Sequence, residues 1–216
     1  MNRKYDAVIF DLDGTLLNTL DDLADAANAT LAHFGEALRP VDDIRRFVGN
    51  GIRNLLRLIF PGGEDYPRFE EAFSFFNEYY GIHCMDKTKA YPGIMELLAQ
   101  LKKDGYKTAI VSNKADFAVK KLNKLYFSGL IETAVGERED VRRKPAPDSV
   151  LSALKELNIS PQRAVYVGDS EVDVKTAENA QLPCIAVTWG FRSRETLLES
   201  GARILVSDAC ELREQL

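Results

Sequence analysis

Apolar residues fall into two different rhythms along this chain. From Thr19 to about His83 they recur every three to four residues, the mark of helices with one buried face. Thr19 stands where the first helix should start, with Asp22 three residues on and Leu23, Ala27, Thr30, Leu31 and Phe34 along one side. Asp42 and Asp43 open a short helix that stops near Gly49. Ile52, Leu55, Leu56 and Ile59 form the next stripe, halted by the glycines of "PGG" at 61–63, and Phe69, Ala72, Phe73, Phe76 and Tyr80 form the last. After "YPG" at 91–93 short continuous apolar runs alternate with helical stripes: a helix over 94–103, the strand "KTAIVSN", a helix over 115–124, the weaker strand "LIETAVG" and a helix over 148–157. Then come "AVYVGD", a helix, "CIAVTWG", a helix over 194–200 and "ARILVSD". Apolar strands separated by helices predict a parallel sheet covered on both faces. The first strand, "DAVIF", has no crossover helix of its own before the helical block begins. The pattern therefore predicts an α/β fold, a doubly wound parallel sheet made of residues 1–15 and 88–216, with an all-helical domain inserted at 16–87.

Composition narrows the class. The 216 residues are 45% hydrophobic and 28% charged, enough to build a sizeable core. A formal net charge of −5 gives no basic footprint, so nucleic acid is not expected as a partner. No apolar run approaches the roughly 20 residues of a membrane span. The three cysteines, Cys84, Cys184 and Cys210, are odd in number and scattered, which fits a reducing compartment. "MNRKY" leads straight into the first strand without the apolar stretch of a signal peptide. The expectation is a cytoplasmic protein, monomeric or homodimeric, with no membrane partner.

The strand ends carry the chemistry. "AVIF" ends in Asp11 and Asp13, "TAIV" in Ser112 and Asn113, and "AVYV" in Gly168 and Asp169, with Asp173 four residues on; "RRKPAPD" adds Lys144 before a helix start. Ligands of doubly wound sheets bind beyond the carboxyl ends of the strands, so these residues should converge. Each alone reads as a turn residue, a helix cap or a solvated charge. Together, several carboxylates, a hydroxyl and an ammonium are what phosphoryl transfer through an aspartyl-phosphate requires. A carboxylate attacking a phosphate dianion needs a cation between them, and an oxygen-rich site of few carboxylates suits Mg²⁺. Asp11 and Asp169 are expected to anchor it, with the main-chain carbonyl of Asp13. Lys144 and Ser112 would hold the non-bridging phosphate oxygens. Asp11, nearer the rigid strand, is expected to be the nucleophile, and Asp13 to protonate the leaving group and then deprotonate water. Gly14, Thr15 and Asn113, on the same loops, are expected at the substrate.

These segments, "DLDGTL" at 11–16, "VSN" at 111–113, "KPAPD" at 144–148 and "GDSEVD" at 168–173, resemble in order and role the four motifs of the haloacid dehalogenase-like hydrolase superfamily, and the helical insertion resembles the cap of its first subfamily. The resemblance implies the same roles for Asp11, Asp13, Ser112 and Lys144, Mg²⁺ on Asp11, Asp13 and Asp169, and Asp173 behind them, acting through a metal-bound water or Lys144. The metal-free dehalogenases lack the second aspartate of the first motif, so Asp13 points to phosphate chemistry. Within the superfamily, "FVGNG" at 47–51, "VTWGF" and "LLESGARILV" resemble the phosphoglycolate phosphatases. Gln181, in "AENAQLP", stands where relatives usually have Gly, which implies a little backbone strain there. The loop "GEREDVRRKPAP" is unusually charged.

Substrate choice is expected in the inserted domain, where "RRFVGNGIRN" offers Arg45, Arg46 and Arg53 and the backbone N–H groups of Gly49, Asn50 and Gly51. The expected activity is Mg²⁺-dependent hydrolysis of a small phosphorylated metabolite, 2-phosphoglycolate first. A sugar phosphomutase, a pyrophosphatase or a 5′-nucleotidase of the same superfamily stays open. So does a phospho-aspartate receiver module outside it, although a receiver has neither the acid/base of Asp13 nor an inserted domain.

Overall fold

A computed structural model describes residues 3–139 and 141–216; Asp140, in the charged loop before Lys144, lies outside the described residues. The chain separates into two compact units, Met1–Leu17 with Ala90–Leu216, and Asn18–Lys89.

The elements follow one another as β1 (Ala7–Phe10), β2 (Leu17–Asn18), α1 (Leu20–His33), α2 (Val41–Phe47), α3 (Gly51–Ile59), α4 (Phe69–His83), β3 (Lys89–Ala90), α5 (Ile94–Lys103), β4 (Lys107–Ala115) and α6 (Asp116–Tyr126). There follow β5 (Thr133–Glu137), α7 (Asp148–Leu157), β6 (Ala164–Gly168), α8 (Glu171–Asn179), β7 (Cys184–Val187), α9 (Arg194–Glu199), β8 (Ile204–Val206) and α10 (Ala209–Glu214). The two-residue strands β2 and β3 and the final helix are additions to the pattern read from sequence. Leu212 is the one fully buried aliphatic side chain of α10, too little for a periodic signal, and the helix is started by Asp208, which accepts from the N–H groups of Cys210 and Glu211.

The first unit is built on a six-stranded sheet in the order β5-β4-β1-β6-β7-β8, in which every pairing is parallel. Its central strand, β1, is "AVIF", with all four residues fully buried, as a strand covered on both faces must be. One face carries α7 and α8: Val150, Ala153, Leu154 and Ala177 pack with Ile9, Ala109, Val111 and Tyr166. Phe10, the last residue of β1, pairs with Ile110 of β4 and with Val167 of β6; β6 ends one residue later, while β4 runs on to Ala115. The chain goes to one side of β1 for β4 and β5 and returns to the other side for β6. That reversal is the switch point at which open α/β sheets form their ligand crevice.

The second unit contains α1 to α4. Leu23, Ala27 and Leu31 of α1, Ile44 of α2, Leu55 and Leu56 of α3 and Phe76 of α4 are buried. Asp22, also buried, accepts the N–H groups of Lys87 and Thr88, 2.9 Å each, which ties the end of this unit to its first helix. Among the described residues no helix is long and apolar enough to cross a membrane.

Candidate active site

Asp11 begins where β1 ends. Its N–H still donates to Val167 O of β6 at 2.9 Å, so the backbone is held by the sheet while the side chain leaves it. The Lys144 ammonium reaches it from the loop before α7 and donates to Asp11 Oδ1 at 2.7 Å, Asp173 Oδ1 at 2.8 Å, the Tyr166 hydroxyl at 2.9 Å and Val111 O at 3.1 Å. Asn113 Nδ2 donates to Lys144 O at 3.0 Å and fixes the lysine's own backbone. Asn113, expected at the substrate, thus also braces the loop that presents Lys144.

Burial sets the electrostatics. Removing Asp11 from water pushes its carboxyl up to about 7, against the pull of Lys144 and with the push of Asp173 and Asp13. Burial also lifts Asp169 well above the usual carboxylate range, helped by Asp173 and Asp11. Lys144 is disfavoured as a cation by its burial, but the carboxylates of Asp11 and Asp173 outweigh that and hold its pKa well above the ordinary value. Asp173 is lowered, because Lys144, Ser170 and Tyr166 together overcome its desolvation. It has no oxygen to spare: Oδ1 takes Lys144 and Tyr166, while Oδ2 takes the Ser170 hydroxyl at 2.6 Å and the N–H groups of Ser170 and Asp169. Ser170 Oγ in turn accepts from Asp173 N, a reciprocal cap that starts α8.

Asp169 sits in a niche that only glycine permits. A Cβ on Gly14, whose φ is +88°, would lie 2.3 Å from Asp169 Oδ2, and a Cβ on Gly190 would lie 2.3 Å from Asp169 Cβ. Thr15 Oγ1 donates to Asp169 Oδ1 at 3.2 Å and Phe191 N to Oδ2 at 2.7 Å. Thr15, also expected at the substrate, is fully buried, with its hydroxyl on Asp169. Trp189 donates its indole N–H to Thr15 O at 3.0 Å. Carboxylate oxygens of Asp11, Asp169 and Asp173 fall within 4.8 Å of one another. Three buried carboxylates set against the one ammonium of Lys144 leave negative charge in excess, and with Asp173 committed elsewhere, Asp11 and Asp169 are the pair whose chemistry fits a divalent cation.

Asp13 lies two residues beyond Asp11, and its Oδ1 accepts from Lys114 Nζ at 2.8 Å. Lys114 is itself buried, and its N–H donates to Ser112 Oγ at 3.3 Å. Lys114, Tyr166 and Gly190 were not singled out from the sequence. A phenol in the middle of the otherwise apolar "AVYVG" was the available signal for Tyr166. The candidates of the second unit lie on and after α2. Arg45 pairs with Asp42 at 3.7 Å, Arg46 pairs with Asp43, and Arg53 makes a two-point pair with Glu70 at 2.7 and 2.8 Å. Gly49 and Gly51 have φ of +119° and +79° on either side of Asn50, which precedes α3. The residues gathered around Asp11 all come from the first unit.

Residues 8–187 match the haloacid dehalogenase-like hydrolase family. Phosphoglycolate phosphatases of Aquifex aeolicus and Psychrobacter arcticus are 35% and 34% identical to the chain, each alignment covering 85% of it and 85% and 84% of the relative. Phosphoglycolate phosphatase 1 of Pseudomonas aeruginosa is 31% identical over 95% of the chain and 77% of its own length. Among solved structures, a provisionally named phosphoglycolate phosphatase from Lactobacillus delbrueckii subsp. bulgaricus superposes with a TM-score of 0.94 at 36% identity, over 99% of this chain and 98% of that one. CbbY from Rhodobacter sphaeroides, in complex with phosphate, superposes with 0.81 at 25% identity over 96% of both chains.

Proposed function

This chain belongs to the haloacid dehalogenase-like hydrolases and is a phosphatase, and from that premise we propose that it hydrolyses 2-phosphoglycolate with Mg²⁺ through a phosphorylated Asp11. The observation that carries the reading is the buried Lys144 ammonium 2.7 Å from Asp11, with a carboxylate oxygen of Asp169 within 4.8 Å of Asp11's. The names of the relatives support the choice of substrate.

Asp11 Oδ attacks phosphorus as the bond from phosphorus to the ester oxygen breaks, and Asp13 gives its proton to the departing alkoxide. Asp13 then takes a proton from the water that attacks the acyl phosphate, releasing phosphate and restoring Asp11. Lys144 and the Ser112 hydroxyl hold the non-bridging oxygens, where charge is spread in the transition state. Asp173 and Tyr166 hold Lys144 in place. Asp11, Asp169 and the main-chain carbonyl of Asp13 are the groups that would hold Mg²⁺, which supplies charge to offset the repulsion between carboxylate and phosphate. Residues 18–89 are read as the cap that selects substrate, with Arg45 and the turn Gly49–Gly51 as its selecting elements. Three free cysteines support a cytoplasmic setting.

The test is phosphate release with Mg²⁺ from 2-phosphoglycolate, pyrophosphate, a hexose 6-phosphate, a hexose 1-phosphate and a nucleoside 5′-monophosphate, with Asp11→Asn as the blank and a chelator control. Turnover of 2-phosphoglycolate far above the others, lost in the variant and with the chelator, is the expected result. A wild type as inert as Asp11→Asn on every compound overturns the assignment.

A further inference from the structure

Residues 188–193, between β7 and α9, have neither helix nor strand of their own, yet they form one wall of the niche around Asp169. Phe191 N donates to Asp169 Oδ2 at 2.7 Å, and Gly190 lies so close that an added Cβ would meet the carboxylate. Such a wall can hold a carboxylate only if the segment itself is held. Each end of it has an anchor. At the first, the Trp189 indole N–H donates to Thr15 O at 3.0 Å, on the loop that follows Asp11. At the second, Arg192 Nε donates to Glu171 Oε2 at 2.8 Å and Nη2 to Oε1 at 3.3 Å. Glu171 opens α8 two residues after Asp169, so the pair closes a ring from Asp169 through Glu171 and Arg192 and back by the Phe191 N–H. Arg192 has 10% of its side chain exposed against 39% for Glu171. A guanidinium gripped at two points is fixed in plane as well as in position, which a single ammonium contact does not achieve.

We propose that Arg192, through its pair with Glu171, is a positioning residue for the cation site, holding the Phe191 N–H against Asp169 so that this carboxylate keeps the orientation in which it would bind Mg²⁺. The inference rests on the reading of Asp169 as a Mg²⁺ ligand. Outer partners of a ligating carboxylate set metal affinity by roughly 10- to 100-fold. The pair carries no net charge, so its effect on the cation is one of geometry. An effect of charge has a different signature. Glu171 by itself attracts a nearby cation and Arg192 by itself repels it. Through charge alone, loss of Arg192 therefore tightens metal binding and loss of Glu171 weakens it. Loss of position weakens binding in both.

Mn²⁺ tests this in the full-length protein stripped of metal, because the EPR signal of the free ion measures binding without turnover. Arg192→Met, Glu171→Gln and the double variant should each raise the Kd by about tenfold. The double variant should lose no more than either single one, since one substitution already breaks the pair. Arg192→Lys, which keeps the charge but not the two-point grip, should fall between wild type and Arg192→Met. At saturating Mg²⁺ kcat should return close to the wild-type value, because Asp11 and Lys144 are held by other elements. Tighter binding by Arg192→Met, or an unchanged Kd in the double variant, overturns the proposal. So does a kcat that stays low at saturating Mg²⁺, which would place the loss outside the cation site. A wild type that holds no Mn²⁺ removes the Mg²⁺ reading as well. Glu171 is exposed enough for Glu171→Gln to leave the core intact, so the comparison does not depend on how the Arg192 variants fold.

Discussion

Asp173 gives one carboxylate oxygen to Lys144, at 2.8 Å, and the other to the start of its own helix. One side chain thereby sets the position of an ammonium from another loop and the direction of α8. The two duties can be separated. Asp173→Asn keeps the size but removes the charge that holds Lys144, and kcat/KM should fall by about 100-fold, with stability down by roughly 3 kcal/mol for the broken buried pair. Ser170→Ala removes only the cap, for about 1 kcal/mol, with a much smaller kinetic loss. Steady-state kinetics alongside thermal melts distinguish them, and equal kinetic losses would contradict the division of labour.

Gly190→Ala should act on the cation site alone. The added methyl would collide with Asp169 Cβ and Oδ2, at 2.3 and 2.4 Å, and turn the carboxylate away. Activity is expected to need at least about tenfold more Mg²⁺ for half-activation and to recover in part at saturating metal, because Asp11 and Lys144 are untouched. A Mg²⁺ titration of the initial rate checks this. An unchanged midpoint would remove Asp169 from the cation site.

Gln181 follows α8 with φ at +59°, a left-handed conformation that costs a residue with a Cβ about 1 kcal/mol. The chain accepts it because the Gln181 and Leu182 N–H groups close the helix onto Glu178 O and Ala177 O. Gln181→Gly should raise the melting temperature by about 2–4 °C without altering kcat or KM. A lower melting temperature would mean that the lost chain entropy outweighs the relieved strain.

Asp6 is held down to about 2, mainly by the two-point hydrogen bond from Arg163 at 2.9 Å to each oxygen, with a further bond from Arg3 at 3.1 Å. A carboxylate lowered in the folded state stabilises above its ordinary pKa near 4 and stops doing so as pH falls through about 2. The stability difference between wild type and Asp6→Asn should therefore be full at pH 5 and shrink steadily between pH 4 and pH 2. Urea midpoints at several pH values measure it. A difference constant over that window would mean that Asp6 keeps its ordinary pKa when folded.

Much of this fold was legible because its signals are local. "AVIF" announces a buried strand by itself, and the boundaries 94–103 and 148–157 follow from apolar spacing and the flanking Gly and Pro residues. The convergence of Asp11, Lys144, Asp169 and Asp173 was legible because doubly wound topology sends every strand's carboxyl end to one edge. What escaped depends on partners far away in the chain. Gly190 is required by Asp169, 21 positions earlier, and Lys114 meets Asp13 across 101 residues. Thr15 and Asn113 stand on the expected loops, and their hydrogen bonds to Asp169 and to the Lys144 backbone are a choice of neighbours that spacing does not encode.

The central position of β1 has a cost in time. Ala7 pairs with Lys107 on one side and with Ala164 on the other. The strand that carries Asp11 is made before either of its neighbours, and the second of them is not complete until Gly168 has emerged. At about 5–20 residues per second, "AVIF" waits roughly ten to thirty seconds with an apolar edge unpaired. For that interval a strand that is fully buried in the finished enzyme stays exposed on the nascent chain.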